Sequence, residues 1–312
     1  MEKIFELMIL GGGPAGCGAA VYAARKRLDT ILITPEFGGQ SAVSETIYNW
    51  IGTPEIGGQT LADNLAAHAK YYEGDILKIV SGQKVIKLSK DPETGIFIAT
   101  TENGHTYHAH AVLITTGSGR RKLEAINADV FEHKGITYCA SCDGPLFSDM
   151  DVVVIGGGNA GFESAAQLLA YAKSVTLLHK SEQFRADEIT VEKVLKNPHM
   201  KAIKSVEILR VDGEKFVSSL TYRDKTTNEE ITLPTQGIFV EIGQTPNTEF
   251  AKDVVSLDSY HKIPVDPRTQ KTAVQGVWAA GDCTDGLYHQ NNIATGDAVK
   301  AIEDIYQELK AR

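Results

Sequence analysis

The sequence predicts an α/β fold built twice from one kind of unit, and three observations carry that prediction. The stretches "LMILGGGPAGCGAAVYAARKRLDTILIT" (Leu7 to Thr34) and "VVVIGGGNAGFESAAQLLAYAKSVTLLH" (Val152 to His179) align with each other without a gap. Each carries Gly-x-Gly-x-x-Gly between a short apolar run and an Ala-rich stretch, the order of a strand, a tight turn and a helix. Each then closes on a second apolar run, a strand to lie beside the first. The expectation is two Rossmann-like dinucleotide-binding domains.

The glycines divide the work in the same way in both copies. Gly11 and Gly156 allow the tight turn, Gly13 and Gly158 let backbone approach a pyrophosphate, and Gly16 and Gly161 let the helix pack on the strand. The helices that follow are expected to meet the dinucleotide at Pro14 and Ala15 in one copy and at Asn159 and Ala160 in the other. Their N-termini present free N–H groups and a positive dipole end to a phosphate. A single Gly-rich turn also occurs where nothing binds; two in register, each framed by strand and helix, leave that alternative little room.

The ends of the second strands separate two ligands. Glu36, just past "ILIT", is the carboxylate expected on a ribose hydroxyl. The matching residue of the second copy is Ser181, in "HKSEQFR", with Lys180 and Arg185 around it. A missing carboxylate among cations favours a 2′-phosphate and so NADPH over NADH, while Glu182 keeps NADH open. The bland alternative is a solvated charged loop. Near the C-terminus, Gly281-Asp282 follows the apolar "QGVWAA" and precedes a helical stretch running from Asn291 to Arg312. Asp282 suits either a contact to a flavin's ribityl or pyrophosphate region or a helix N-cap.

Composition excludes other classes. The 312 residues suffice for two domains with real cores. Lys and Arg number 31 against 40 Asp and Glu, and the net charge of −9 argues against nucleic acid or an anionic membrane as partner. The opening "MEKIFELMIL" lacks the basic start and cleavage site of an export signal, and no apolar run approaches the ~18 residues of a membrane span. The expected location is cytoplasmic.

Two of the four cysteines stand in "YCASCDG", at Cys139 and Cys142. A disulfide scaffold belongs to small secreted domains, and a closed zinc site wants four ligands. Cys17 and Cys283 are isolated, and no second Cys-x-x-Cys exists, so no metal site is expected. A redox pair is favoured, with zinc and inert thiols as the alternatives. Asp143, beside Cys142, suits a proton carrier or, within Asp-Gly-Pro, a turn former. Cys17 and Cys283 read as packing residues, and Tyr22 and Phe162 as core.

Together with "FGGQ" (Phe37 to Gln40), "YNW" (Tyr48 to Trp50), "TTG" (Thr115 to Gly117), "CASCDGPLF", "GQTPNT", "AAGDC" and "YHQ", these motifs span almost the whole chain. In that order they resemble the low-molecular-weight thioredoxin reductase family and the similar flavoprotein core of alkyl hydroperoxide reductase. The resemblance implies a discontinuous FAD domain, residues 1–117 and 246–312. A NAD(P)H domain, residues 118–245, would be inserted into it and carry the redox pair. It implies FAD and a nicotinamide nucleotide as cofactors, a homodimer, and rotation of the inserted domain. It implies FAD contacts at Gly39, Gln40, Asn49, Thr116, Gly117, Gly281, Asp282, His289 and Gln290. It further implies nucleotide contacts at His179, Lys180, Ser181 and Arg185. Electrons would pass from the nucleotide through FAD to a Cys139–Cys142 disulfide and on to a thioredoxin-like protein, with Asp143 carrying a proton. No thioredoxin-like extension precedes the first strand, so the expected substrate is a separate protein.

Three departures qualify the resemblance. Thioredoxin reductases typically show His-Arg-Arg where this chain has His179-Lys180-Ser181, so preference for NADPH should be blunted. The peroxide-reductase relatives, which use NADH, place an acidic residue at position 179. Position 289 holds His where relatives have Arg or Lys near the flavin, and a neutral imidazole would stabilise an anionic reduced flavin less. The stretch "RKLEAINADVF" lacks the usual Pro-Gly, which bears only on loop shape.

Overall fold

The computed structural model describes residues 3–42, 44 and 46–310; the last two residues of the predicted C-terminal helix lie outside them. The chain divides into two units, Met1–Gly119 with Thr245–Arg312, and Arg120–Gln244. It crosses between them at Ser118–Arg120 and Gln244–Pro246, two short strands that pair with one another.

In the first unit, Ile4–Gly12 is the central strand because Leu7, Met8, Ile9 and Leu10 are apolar in succession and all fully buried. Such a run needs cover on both faces, as a parallel strand has. It lies parallel to Thr30–Phe37 on one side and Thr106–Ile114 on the other. Leu77–Ser81 extends the sheet beyond Thr30–Phe37. Val277–Ala279 also pairs with Thr106–Ile114, and Phe97–Thr101 and Val85–Lys90 continue antiparallel from it. Helices Pro14–Arg25 and Asn291–Lys310 share one buried cluster, to which Ala19 and Ala23 of the first and Ala298 and Ala301 of the second belong. Small side chains there let the helices sit close. Trp278 is fully buried in that cluster and its indole N–H donates to Asp304 Oδ2 at 2.9 Å, which satisfies its one polar atom.

The second unit repeats the scheme. Its parallel sheet runs Ile136–Thr137, Gly237–Val240, Asp151–Ile155, Ser174–Leu178, Met200–Ile203. Helix Asn159–Leu168 packs on it through Phe162, Ala165 and Leu168, all fully buried. An antiparallel meander, Val206–Gly213, Val217–Asp224 and Glu230–Pro234, follows. In both units the strand after the Gly-rich helix lies on one side of the first strand, with the next strand outside it. The returning strand, Thr106–Ile114 or Gly237–Val240, lies on the other side. That order is one half of the dinucleotide fold, and it opens a crevice beyond the first strand's C-terminal end.

Phe162 is core as predicted, but Tyr22 is 40% exposed. It falls on the solvent side of a helix whose buried residues are mostly alanines. No helix among the described residues is long and apolar enough to cross a membrane.

Candidate functional site

A cavity of about 700 Å³ opens in the first unit where the central strand meets its helix. Gly11 sits at φ +115°, and a Cβ there would come within 2.4 Å of the Thr115 carbonyl oxygen. A Cβ at Gly16 would lie 1.8 Å from the Gly11 oxygen, so Gly16 serves helix packing and does not line the cavity. Gly13 differs: a Cβ there would meet nothing within 4 Å, and the free space is the cavity itself. Pro14, Ala15, Glu36, Gly39 and Gln40 line the cavity, as do Thr116, Gly117, Gly281 and Asp282.

Asn49, His289 and Gln290 stand outside that lining. Asn49 Nδ2 donates to Gln290 Oε1 at 3.0 Å, and His289 Nδ1 lies 3.4 Å from Asp282 Oδ1. Sequence reasoning missed Lys84, Ile86 and Asn247, which do line it. Asn247 is held by two bonds to Thr116, Nδ2 to its carbonyl at 3.0 Å and its own carbonyl from the Thr116 hydroxyl at 2.6 Å. The signal was present in "GQTPNT", a motif that carried the resemblance without Asn247 being assigned a contact.

The second unit reproduces the glycine geometry. Gly156 is at φ +128° with a Cβ position 2.2 Å from the Glu241 oxygen, and a Cβ at Gly161 would lie 2.0 Å from the Gly156 oxygen. Gly158 again faces open space. His179 takes a different place from the one its motif suggests. It is 6% exposed, its Nδ1 accepts the Gly157 N–H at 3.0 Å, and its Nε2 lies 2.9 Å from the Gln183 oxygen. Both ring nitrogens are committed to bracing the turn, and burial pushes the imidazole pKa down, so the ring is neutral there. Asn159 likewise works within the protein, its Oδ1 accepting the Asp187 N–H at 2.8 Å.

Lys180 and Arg185 are exposed beside the half-buried Ser181. Two lysines that the motif did not reveal join them. Lys225 Nζ donates to the Lys180 oxygen at 3.1 Å, and Lys204 stands 5.5 Å over the Phe184 ring. Ala160, at the helix start, is exposed. Glu241, just past the returning strand, is a partly buried carboxylate whose desolvation pushes its pKa up to about 7 against the pull of the Ser164 hydroxyl.

Cys139 and Cys142 are joined in a disulfide, Cα to Cα 5.3 Å, at the helical turn Ala140–Asp143. Cys139 is the N-cap, its sulfur 3.2 Å from the Cys142 N–H, and both cysteines are partly exposed. The Thr137 hydroxyl donates to the Asp143 carboxylate. Burial raises the Asp143 pKa, while Thr137 and then Arg120 and His133 pull it down. Cys17 and Cys283 are free thiols, buried, with pKa values pushed up by burial to about 12 and about 11. Thiols so rarely ionised do not exchange disulfides. Among the described residues no cluster of His, Cys, Asp or Glu could hold a metal ion.

Known proteins agree with this architecture. The chain is similar to a NADH dehydrogenase of Bacillus subtilis strain 168, 36% identical over 300 residues, covering 96% of this chain and 58% of that protein. An alkyl hydroperoxide reductase component of Xanthomonas campestris pv. phaseoli is 37% identical over 310 residues, covering 99% and 58%. The chain thus spans under three fifths of the length of these curated relatives. The thioredoxin reductase structure of Streptococcus pyogenes MGAS5005 is 29% identical, with full coverage of both chains and a TM-score of 0.90. Residues 5–298 match the pyridine nucleotide-disulphide oxidoreductase family as a whole. With paired dinucleotide folds and a Cys-x-x-Cys disulfide already in place, the chain belongs to that family.

Proposed function

We propose that this chain is a protein-disulfide reductase of the thioredoxin reductase type, passing electrons from NADPH through FAD to the Cys139–Cys142 disulfide. The observation that carries the reading is that disulfide with Asp143 beside it, in a chain whose family implies FAD and a pyridine nucleotide. The first unit fits FAD: Gly13 leaves a cradle that any Cβ would fill, Glu36 suits a ribose hydroxyl, and Asp282 and Gln40 suit polar atoms of the ring and ribityl chain. The second unit fits the nicotinamide nucleotide, with Gly158 open and cations at the end of its second strand.

Bound FAD supplies two-electron transfer between nicotinamide and disulfide. The chain's residues do the rest. Two electrons and two protons open the Cys139–Cys142 bond to a dithiol. One thiolate then attacks the disulfide of a thioredoxin-like protein to form a mixed disulfide, and the other cysteine resolves it, releasing the partner reduced. Asp143, held by Thr137 and carrying its proton to a higher pH than an ordinary carboxyl, gives and recovers the proton this exchange requires.

A second reading keeps the fold and takes NADH as donor, serving a peroxidase-linked or glutaredoxin-like partner. It is favoured by Ser181 and by the neutral, inward-turned His179, which leave Arg185 as the one guanidinium of the "HKSEQFR" loop. Anaerobic titration with NADPH and with NADH, followed by a thioredoxin, tests both. The main reading expects either nucleotide to bleach the flavin, NADPH with the higher kcat/KM, and thioredoxin to be reduced. Higher kcat/KM with NADH and no thioredoxin reduction would move the assignment to the second reading.

A further inference from the structure

His289 stands just outside the lining of the first unit's cavity, and it does not stand alone. Lys262 Nζ lies 2.8 Å from His289 Nε2, and His289 Nδ1 lies 3.4 Å from Asp282 Oδ1. Asp282 in turn lines the cavity. An ammonium group only donates hydrogen bonds, so His289 Nε2 is the acceptor and the ring proton sits on Nδ1, facing the carboxylate. The order is cation, neutral imidazole, carboxylate, cavity.

Lys262 is fixed in that position by its backbone. Its N–H donates to Asp258 Oδ1 at 2.8 Å, and its carbonyl accepts the Asp258 N–H at 2.9 Å. The next residue, Ile263, is fully buried and bridges Thr284, with its N–H on the Cys283 oxygen at 2.9 Å. Lys262 is therefore tied to the very turn that carries Asp282. Two nearby acids are turned to the backbone: Asp258 Oδ1 also accepts the Tyr260 N–H at 2.8 Å, and Asp285 Oδ1 accepts the Val265 N–H at 3.1 Å.

We propose that Lys262 is a positioning residue of this cavity: it holds His289 in the Nδ1–H form, orients Asp282, and balances the carboxylate's charge where a flavin becomes anionic on reduction. Without it, Asp282 and a neutral imidazole leave a net negative charge at that end, which disfavours a reduced, anionic ring. The inference rests on reading the first unit as the FAD domain.

The test uses the purified chain labelled with 15N-histidine, with the His289 signals assigned by their loss in His289→Gln. The parent and Lys262→Arg should show the Nδ1–H tautomer at His289, and Lys262→Met should lose that signature. In parallel, the oxidised-to-reduced flavin ratio is read at equilibrium with a reference dye. Lys262→Met and Lys262→Gln should shift it toward oxidised by roughly fivefold, the scale of a partly exposed charge, and Lys262→Arg should leave it near the parent's. An Nε2–H tautomer in the parent, or an unchanged ratio in both neutral variants, overturns the proposal. Failure of the purified chain to bind FAD would sink the domain reading instead, while the tautomer measurement would still decide the Lys262–His289 relationship.

Discussion

Ser164 of the Gly-rich helix in the second unit donates its hydroxyl to the Glu241 carboxylate at 2.6 Å, at the end of the strand beside it. Burial outweighs that bond and holds the Glu241 pKa at about 7, above the ordinary 4.5. A carboxyl whose folded value is raised keeps its proton better in the folded state. Its stabilisation is complete below pH 4.5 and is lost as pH rises through 7. The difference amounts to roughly 3 kcal/mol at one pKa unit per 1.36 kcal/mol. Glu241→Gln keeps an acceptor for Ser164 and removes the titration. Urea unfolding should show the variant gaining roughly 2–3 kcal/mol on the parent between pH 5 and pH 8. An equal difference at both pH values would contradict the burial argument.

Asp143 gives a second pH-dependent expectation. Asp143→Asn should lower turnover with a disulfide protein by about 10²–10⁴-fold, the range of a lost general acid or base, and leave reduction of the flavin by nucleotide near normal. Thr137→Val removes the donor that pulls the Asp143 pKa down, so the limb of the kcat profile set by Asp143 should move to higher pH. A profile that moves to lower pH, or does not move, would separate Thr137 from the chemistry.

The two kinds of glycine in the repeat should fail differently. Gly158→Val adds a side chain into open space, so the fold should persist while nucleotide affinity falls at least tenfold by titration. Gly161→Val drives carbon into the Gly156 carbonyl and should cost several kcal/mol in thermal unfolding, as overpacking of a tight contact does. Equal nucleotide affinity in Gly158→Val would remove the second unit's turn as the binding site.

Nucleotide preference should respond at the end of the second strand. Replacing Lys180 and Ser181 together by Arg restores two planar donors for a 2′-phosphate and should raise the NADPH-to-NADH ratio of kcat/KM by tenfold or more. Removing Lys204 or Lys225 from the same margin should lower that ratio. An unchanged ratio in all these variants would place the discrimination elsewhere.

The α/β class and the doubled unit were legible because the Gly-x-Gly-x-x-Gly turns impose local geometry that sequence alone expresses. Gly11 and Gly156 need positive φ, and only spacing is required to see it. Glu36 and Asp282, which line the cavity, were legible from their place after an apolar strand, and Gln40 and Thr116 from the family resemblance. What stayed hidden depends on contacts between segments distant in the chain. His179 turned inward because its ring meets the Gly157 N–H, which no motif records. Lys204 and Lys225 reach the basic margin from segments beyond the motif, and Lys262 meets His289 only through the Ile263–Thr284 bridge. Tyr22 was misjudged because the helix buries mostly alanines and leaves the ring outside.

As proposed, the Cys139–Cys142 pair lies on the electron path, downstream of the flavin. The most direct measurement is stopped-flow reduction of Cys139→Ser by NADPH under anaerobic conditions, with thioredoxin turnover followed on the same sample. The variant's flavin should bleach with two electrons per chain where the parent takes up four, and thioredoxin reduction should be lost. Turnover with thioredoxin at the parent rate, or uptake of four electrons by the variant, would contradict it.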